Sequence, residues 1–179
     1  MNTQSKRTSG ITVREMTVFS MLGALMFLSK LLMDALPNVH LLGVLTMTYT
    51  VAYRKKALFP IYLNVLLVGI YGGFNLWWLP YLYIWTILFG ITMLLPKKMP
   101  RGVAMIVYPS VCALHGLCYG TLYSPAQALM FGLNFEQTLA WIAAGFPWDA
   151  IHGAGNFVLG FLIIPLSELL IKLNRGALK

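Results

Sequence analysis

RKKALFPIYLNVLLVGIYGGFNLWWLPYLYIWTILFGITMLLPKK, residues 54–98, holds two long apolar runs between two basic clusters. The runs cover about residues 57–72 and 79–95, and the turn-forming GGFNLWW separates them. A spanning helix needs roughly 17–25 predominantly apolar residues. Lys and Arg are enriched in cytoplasmic loops. The stretch therefore predicts two transmembrane helices that start and end on the cytoplasmic side, with their turn outside.

The composition of the whole chain indicates the same environment. Apolar residues make up 59% and charged residues 10% of the 179 residues, whereas soluble domains are about 25% charged. So few charges cannot cover a folded surface of this size in water. We therefore expect one transmembrane domain over residues 1–179, with residues 1–13 as a cytoplasmic tail and no cleaved signal peptide.

Four more helices follow from the apolar runs. We expect them at about residues 14–35, 39–53, 103–123 and 147–173, the last beginning at Pro147 because proline suits the first helical turn. The segment 124–146, which contains SPAQALMFGLNFEQTLAWIAAG, is too polar for a span and too apolar for a free loop, and it predicts a re-entrant or interfacial helix. The expected fold class is an all-α integral membrane protein with six transmembrane helices.

The charge distribution sets the orientation and excludes nucleic acid as a partner. Of the 13 Lys and Arg residues, all except Lys30 fall in four regions. These regions are the two termini, the loop between the second and third predicted helices, and the loop between the fourth and fifth. With six helices, all four regions lie on one side of the membrane. Both termini are therefore expected to be cytoplasmic. The four basic clusters are Lys6, Arg7 and Arg14; Arg54, Lys55 and Lys56; Lys97, Lys98 and Arg101; and Lys172, Arg175 and Lys179.

Polar residues collect at the opposite, outer end. Asp149, His152 and Asn156 are three and four residues apart, so they share one face of the last helix. Ionisable groups inside a membrane usually face a bundle interior or a water-filled cavity, and an outward-facing ligand pocket is the better account of the set. Interhelical hydrogen bonds and an interfacial aromatic belt are the alternatives. The other candidate ligand-binding residues are His40, Asn75, Trp78, Tyr81, His115 and Tyr119.

No pattern indicates catalysis, a metal site or nucleotide hydrolysis. HExxH, GxSxG and a phosphate-cradling glycine-rich loop are absent from the sequence, and the acidic residues are scattered. Cys112 and Cys118, six residues apart in an apolar segment, are expected to be free thiols. The chain is also too short for the paired repeats of most secondary transporters. A binding subunit that depends on ATPases elsewhere fits these observations.

The chain resembles the substrate-specificity (S) components of energy-coupling factor transporters, bacterial vitamin importers of the ABC class. The resemblance rests on length, six expected helices, cytoplasmic termini and a small-residue pair, Ser20 and Ala24 with Gly23 beside them, in SMLGALMF. Family members carry an AxxxA pair where the first helix meets a coupling subunit, but here the first position is Ser. The resemblance implies a multi-pass protein of the bacterial cytoplasmic membrane. It would capture a vitamin outside and dock on a transmembrane coupling protein with two ATPases.

Five stretches are similar to the cobalamin branch of that family: PNVHLLG, WWLPYLYIW, ALHGL, SPAQALMFG and IHGAGNF. A cobalt corrinoid is therefore the first expected substrate, and a protein-bound cofactor is not expected. Outer glycines could provide room for it or could serve close helix packing; they are Gly69, Gly72, Gly73, Gly116, Gly120, Gly153 and Gly155. The alternatives are a component for folate, pantothenate or a queuosine precursor, a scaffold of cell-envelope assembly, or an intramembrane enzyme using Asp149 with a histidine.

Overall fold

The computed structural model describes residues 11–176, and all regular secondary structure in that range is helical. Short 3₁₀ turns at Arg54–Ala57 and Leu76–Trp78 lie where the basic loop and the aromatic turn were predicted. The basic residues Lys6, Arg7 and Lys179 lie outside the described residues. The α-helices are α1 (Val13–Leu32), α2 (Leu42–Tyr53), α3 (Leu58–Gly72), α4 (Tyr81–Leu94), α5 (Arg101–Leu117), α6 (Tyr119–Phe131), α7 (Phe135–Gly160) and α8 (Ile163–Gly176).

Helix length and apolarity support three membrane crossings, or four. Residues 13–32, 76–94 and 101–131 are each long and apolar enough to span, and α7 with α8 forms a fourth candidate bent by 49°. The 12-residue α2 and the 15-residue α3 are about 18 and 22 Å long at 1.5 Å per residue. Both are shorter than the roughly 30 Å hydrocarbon core. Six spans therefore remain a prediction.

The expected helix boundary at Pro147 is wrong. A single helix, α7, runs through Pro147, and its start is fixed upstream by Asn134. The Asn134 side chain accepts from the Gln137 N–H at 2.8 Å, and the Gln137 side chain accepts from the Asn134 N–H at 2.9 Å. This reciprocal capping box satisfies two N–H groups that a helix start leaves unpaired. Just before it, Gly132 ends α6 in the left-handed conformation, with φ of 65°.

Close packing against α5 explains why α7 continues through a proline. An internal proline removes one backbone hydrogen bond and costs about 3 kcal/mol. Gly160 lies so close to α5 that an added Cβ would be 2.7 Å from Pro109 Cα. The same added atom at Gly153 would be 2.5 Å from Leu117 Cγ. Close contact along the two helices offsets the free-energy cost of the hydrogen bond lost at Pro147. The stabilisation is large because dispersion contacts are summed over many buried atoms.

Contacts gather the basic segments at one end of the bundle. Lys56, beside α3, donates to Glu15 in the first turn of α1 at 2.6 Å. The Arg54 guanidinium donates to the Met93 carbonyl oxygen at 2.9 Å, which ties the 54–57 turn to the last turn of α4. Arg101 lies 3.6 Å from Glu168 of α8. Segments far apart in sequence thus share one basic end.

The core is built around α2. Every residue from Leu42 to Thr50 is buried, and α2 contacts α4, α5 and α8. The residues just before this buried stretch, including His40, lie at the end of the bundle opposite the basic segments.

Candidate functional site

The polar face of α7 is directed into the bundle. Asp149, His152 and Asn156 are all buried, as their helical spacing predicted. Asp149 accepts a hydrogen bond from the Gly120 backbone N–H at 2.9 Å. Asn156 donates to the Cys112 carbonyl oxygen at 3.2 Å. These two residues join α7 to α6 and α5, and His152 lies between them.

A cavity of about 330 Å³ lies beside His152. It opens between the 33–41 connection and the side chains of α4, α6 and α7. It is at the opposite end of the bundle from the basic segments, where an outer pocket was expected. Its lining residues are Lys30, Met33, Asp34, Leu36, Pro37, Asn38, Val39, His40, Tyr81, Tyr119 and His152.

Aromatic and imidazole rings form the floor of this cavity. The His40 and His152 ring centroids are 4.7 Å apart, edge to face, and Tyr119 lies 5.0 Å from His152. Trp85, which is 1% exposed, lies behind them at 6.2 Å from His40 and 5.8 Å from His115. We call His40, Trp85, His115, Tyr119 and His152 the ring cluster. Five separate segments contribute to it: the 33–41 connection, α4, α5, α6 and α7.

Several nitrogens of the ring cluster are buried without a hydrogen-bond partner among the described residues. They are His40 Nδ1, His152 Nε2, His115 Nδ1 and Trp85 Nε1. The other His115 nitrogen, Nε2, lies 3.2 Å from the Ile84 carbonyl oxygen. Buried polar atoms are nearly always paired with protein, water or ligand. The His40 and His152 rings line the cavity, and their unpaired nitrogens lie beneath its surface, where a hydrogen bond to water or to a ligand needs the ring to turn.

The charges at the cavity are arranged around its edge. Lys30 Nζ lies 3.9 Å from Asp34 Oδ1, and the Asp34 side chain is largely exposed. Burial of the His40 ring, with the Lys30 charge nearby, lowers the pKa of His40 to about 4. His40 is therefore neutral at physiological pH, and its ring can donate one hydrogen bond and accept another. A ligand would meet a cation and an anion at the entrance and neutral polar groups inside.

Five of the nine predicted site residues do not line this cavity: Asn75, Trp78, His115, Asp149 and Asn156. Asn75 is exposed in the turn before the 76–78 segment. The Trp78 indole N–H donates to the Val65 carbonyl oxygen at 2.8 Å, and its ring packs edge-on against Phe74 at 5.0 Å. Tyr81, in contrast, lines the cavity. The connection between α3 and α4 therefore does not line the cavity, whereas Tyr81 in the first turn of α4 does.

Sequence reasoning missed Trp85 and Lys30. Trp85 follows Tyr81 by four residues, so the two share a helix face, and their rings are 6.0 Å apart. That spacing was the available signal for Trp85. Lys30 was singled out only as the basic residue outside the four basic clusters, and in the structure it lines the cavity at the opposite end of the bundle.

The outer glycines allow neighbouring segments to pack closely and do not enlarge the ligand cavity. A Cβ at Gly116 would lie 3.0 Å from the backbone N and Cα of Gly153. One at Gly120 would lie 2.5 Å from Asp149 Oδ2. A Cβ at Gly69 would lie 2.8 Å from Trp78 Nε1 and closer still to the Phe74 ring. None of these glycines lines the 330 Å³ cavity.

The predicted docking residues occupy different environments on α1. Ser20 is exposed and Ala24 is half-buried, so both are accessible to a partner. Gly23 is buried against α3, where a Cβ would lie 2.9 Å from Leu63 Cδ2. Gly23 thus serves the contact of α1 with α3 within the chain.

Within residues 11–176, no group of three or more His, Cys, Asp or Glu side chains is placed to hold a metal ion. Cys112 and Cys118 are both free thiols. Comparison with protein families, curated proteins and solved structures gave no match.

Proposed function

We propose that this protein is the substrate-binding membrane subunit of a vitamin importer, similar in role to the S components of energy-coupling factor transporters. It would capture its substrate at the outer face and dock on a transmembrane coupling protein with two ATPases, which supply ATP hydrolysis. The observation that carries the proposal is the polar cavity beside His40 and His152, whose buried ring nitrogens have no partner among the described residues. A cell-envelope scaffold has no use for such unpaired groups, because its outer polar residues would bond one another.

Cavity volume bears on the substrate. Small-molecule pockets span about 300–1,000 Å³, and the 330 Å³ cavity is near the lower limit. A corrinoid is larger than this, so its binding would require the 33–41 connection to move outward. Compact hydrophilic vitamins such as pantothenate are closer to the cavity volume. We therefore propose a small polar vitamin as first choice and retain cobalamin as the alternative to be tested beside it.

Native mass spectrometry tests the proposal directly. The protein purified from cells grown in rich medium should retain a small molecule, identified by its mass after release, and should be isolated together with ATPase subunits under mild solubilisation. Retention of a small molecule without any ATPase would exclude the importer role and leave a binding protein. Absence of both would exclude the proposed function.

The proposed topology has six crossings with both termini in the cytoplasm. Single cysteines at Lys55 and Lys98, in a background without Cys112 and Cys118, should react with a membrane-impermeant maleimide only after the membrane is opened. A cysteine at Asn75 should react in intact cells, because the basic loops are retained inside. If the cysteine at Lys55 reacts in intact cells, the orientation is opposite to the proposed one and the ring cluster lies on the cytoplasmic side.

The proposed docking contact uses Ser20 and Ala24 of α1. Small residues allow close helix approach, and a large side chain prevents it. Ser20→Trp and Ala24→Trp should each reduce uptake at least tenfold (roughly 1.4 kcal/mol or more of coupling) while the isolated protein binds ligand normally. Ile106→Trp, at an exposed position of α5, is the matched control and should transport normally. Normal uptake by both α1 variants would place the contact elsewhere.

A further inference from the structure

A second binding region lies at the basic end, between α1 and α8. Two adjoining cavities of about 220 and 230 Å³ share Arg14, Val18, Tyr53 and Asn174 among their lining residues. They therefore form one continuous groove, which we call the α1–α8 groove. It shares no lining residue with the cavity beside His152.

The α1–α8 groove changes from polar to apolar along its length. Its end near the start of α1 is lined by Thr12, Arg14 and Glu15. Further along it is lined by the apolar side chains of Met21, Leu22, Leu170 and Leu173. The ten residue steps from Thr12 to Leu22 correspond to about 15 Å along the axis of α1. A polar head followed by an apolar channel of this length matches a lipid oriented along the bundle.

We propose that the α1–α8 groove binds an anionic phospholipid, with its phosphate at Arg14 and an acyl chain against Met21, Leu22, Leu170 and Leu173. The proposal rests on the membrane location of the chain and is independent of the vitamin site.

Charge favours an anionic headgroup over a zwitterionic one. The chain carries a net charge of +8, and the described basic segments meet at this end. Glu15, the acidic residue in the groove, has its charge offset by Lys56 at 2.6 Å. Each basic residue near a membrane surface favours anionic lipids by roughly fivefold.

The shape of the groove favours a lipid over a protein helix. An α-helix with its side chains is about 10–12 Å in diameter, whereas each of the two cavities holds only 220–230 Å³. An acyl chain is narrow enough to enter, but a helix could only lie across the opening.

The test measures lipid retention by the full chain. The protein is exchanged into mixed micelles containing equal amounts of phosphatidylglycerol and phosphatidylcholine, and bound lipid is counted by native mass spectrometry. Phosphatidylglycerol should be retained in preference. Arg14→Gln should lower its retention at least about fivefold, Arg14→Lys should restore most of it, and Lys98→Gln, which removes a cation outside the groove, should have little effect.

A second pair of variants tests the apolar half. Met21→Trp should fill the groove and lower retention of both lipids, whereas Leu25→Trp, one turn further along α1 and outside the groove lining, should not. Equal retention of the two lipids by the parent, or equal loss in Met21→Trp and Leu25→Trp, would overturn the proposal. A photo-crosslinker placed at Met21 in native membranes tests the groove without filling it. A phospholipid adduct supports the proposal. A protein adduct without lipid assigns the groove to a protein partner.

Discussion

Gly116→Ala is expected to destabilise the folded protein by about 1–3 kcal/mol, the range for overfilling a well-packed interior. The added Cβ would lie 2.8 Å from Asn156 Nδ2 and 3.0 Å from the backbone N and Cα of Gly153. A backbone cannot rotate away as the end of a side chain can, so α5 and α7 would have to separate. Their separation would also strain the Asn156 bond to the Cys112 carbonyl oxygen.

Gly90→Ala is the matched control for this prediction. Gly90 also lies within a helix, but no heavy atom is within 4 Å of an added Cβ. Alanine there should be neutral or should stabilise by up to about 1 kcal/mol, since glycine is disfavoured in helix interiors. Thermal unfolding of both variants in the same detergent provides the measurement. Equal melting temperatures would mean that α5 and α7 do not approach as closely as described.

His152→Ala is expected to weaken ligand binding by about 1–3 kcal/mol, or roughly five- to 150-fold in Kd. His152 lines the cavity, and its Nε2 is buried without a partner among the described residues. A ligand that pairs with this nitrogen loses that hydrogen bond in the variant. The variant also loses the ring contacts with His40 and Tyr119, which lowers the melting temperature, so Kd is compared on folded protein only.

Asn156→Ala, one turn along the same face, should give the opposite result. Asn156 is bonded to the Cys112 carbonyl oxygen and does not line the cavity. Its removal should lower the melting temperature and leave Kd nearly unchanged when only folded protein is counted. Calorimetric titration of both variants with pantothenate, cobalamin and any co-purified molecule separates the two roles. Unchanged affinity in His152→Ala, beside a lowered melting temperature, would assign His152 a structural role.

The helical architecture and the approximate bounds of the first four helices could be predicted from the sequence, because they depend on local properties, whereas the predicted helices at 103–123 and 147–173 do not match the bounds of α5 to α8. Apolar runs, basic clusters and breaks such as GGFN located helices near 14–35, 57–72 and 79–95, and the structure has them at Val13–Leu32, Leu58–Gly72 and Tyr81–Leu94. The start of α7 was missed although its signal is also local. Asn134 and Gln137 form a capping pair three residues apart, and Pro147 was given more weight than this pair.

The sequence alone determined that Asp149, His152 and Asn156 share a face, because helical periodicity fixes relative direction along one helix. What each side chain contacts follows from the tertiary structure, because the neighbour is brought by another segment of the chain. Asp149 meets the Gly120 amide, Asn156 meets the Cys112 carbonyl, and His152 meets His40 and open space. The same applies to Trp85, which belongs to the ring cluster because α2 holds His40 above it. Periodicity shows that a residue points inward, but packing between distant segments determines whether it finds a protein partner there or a cavity.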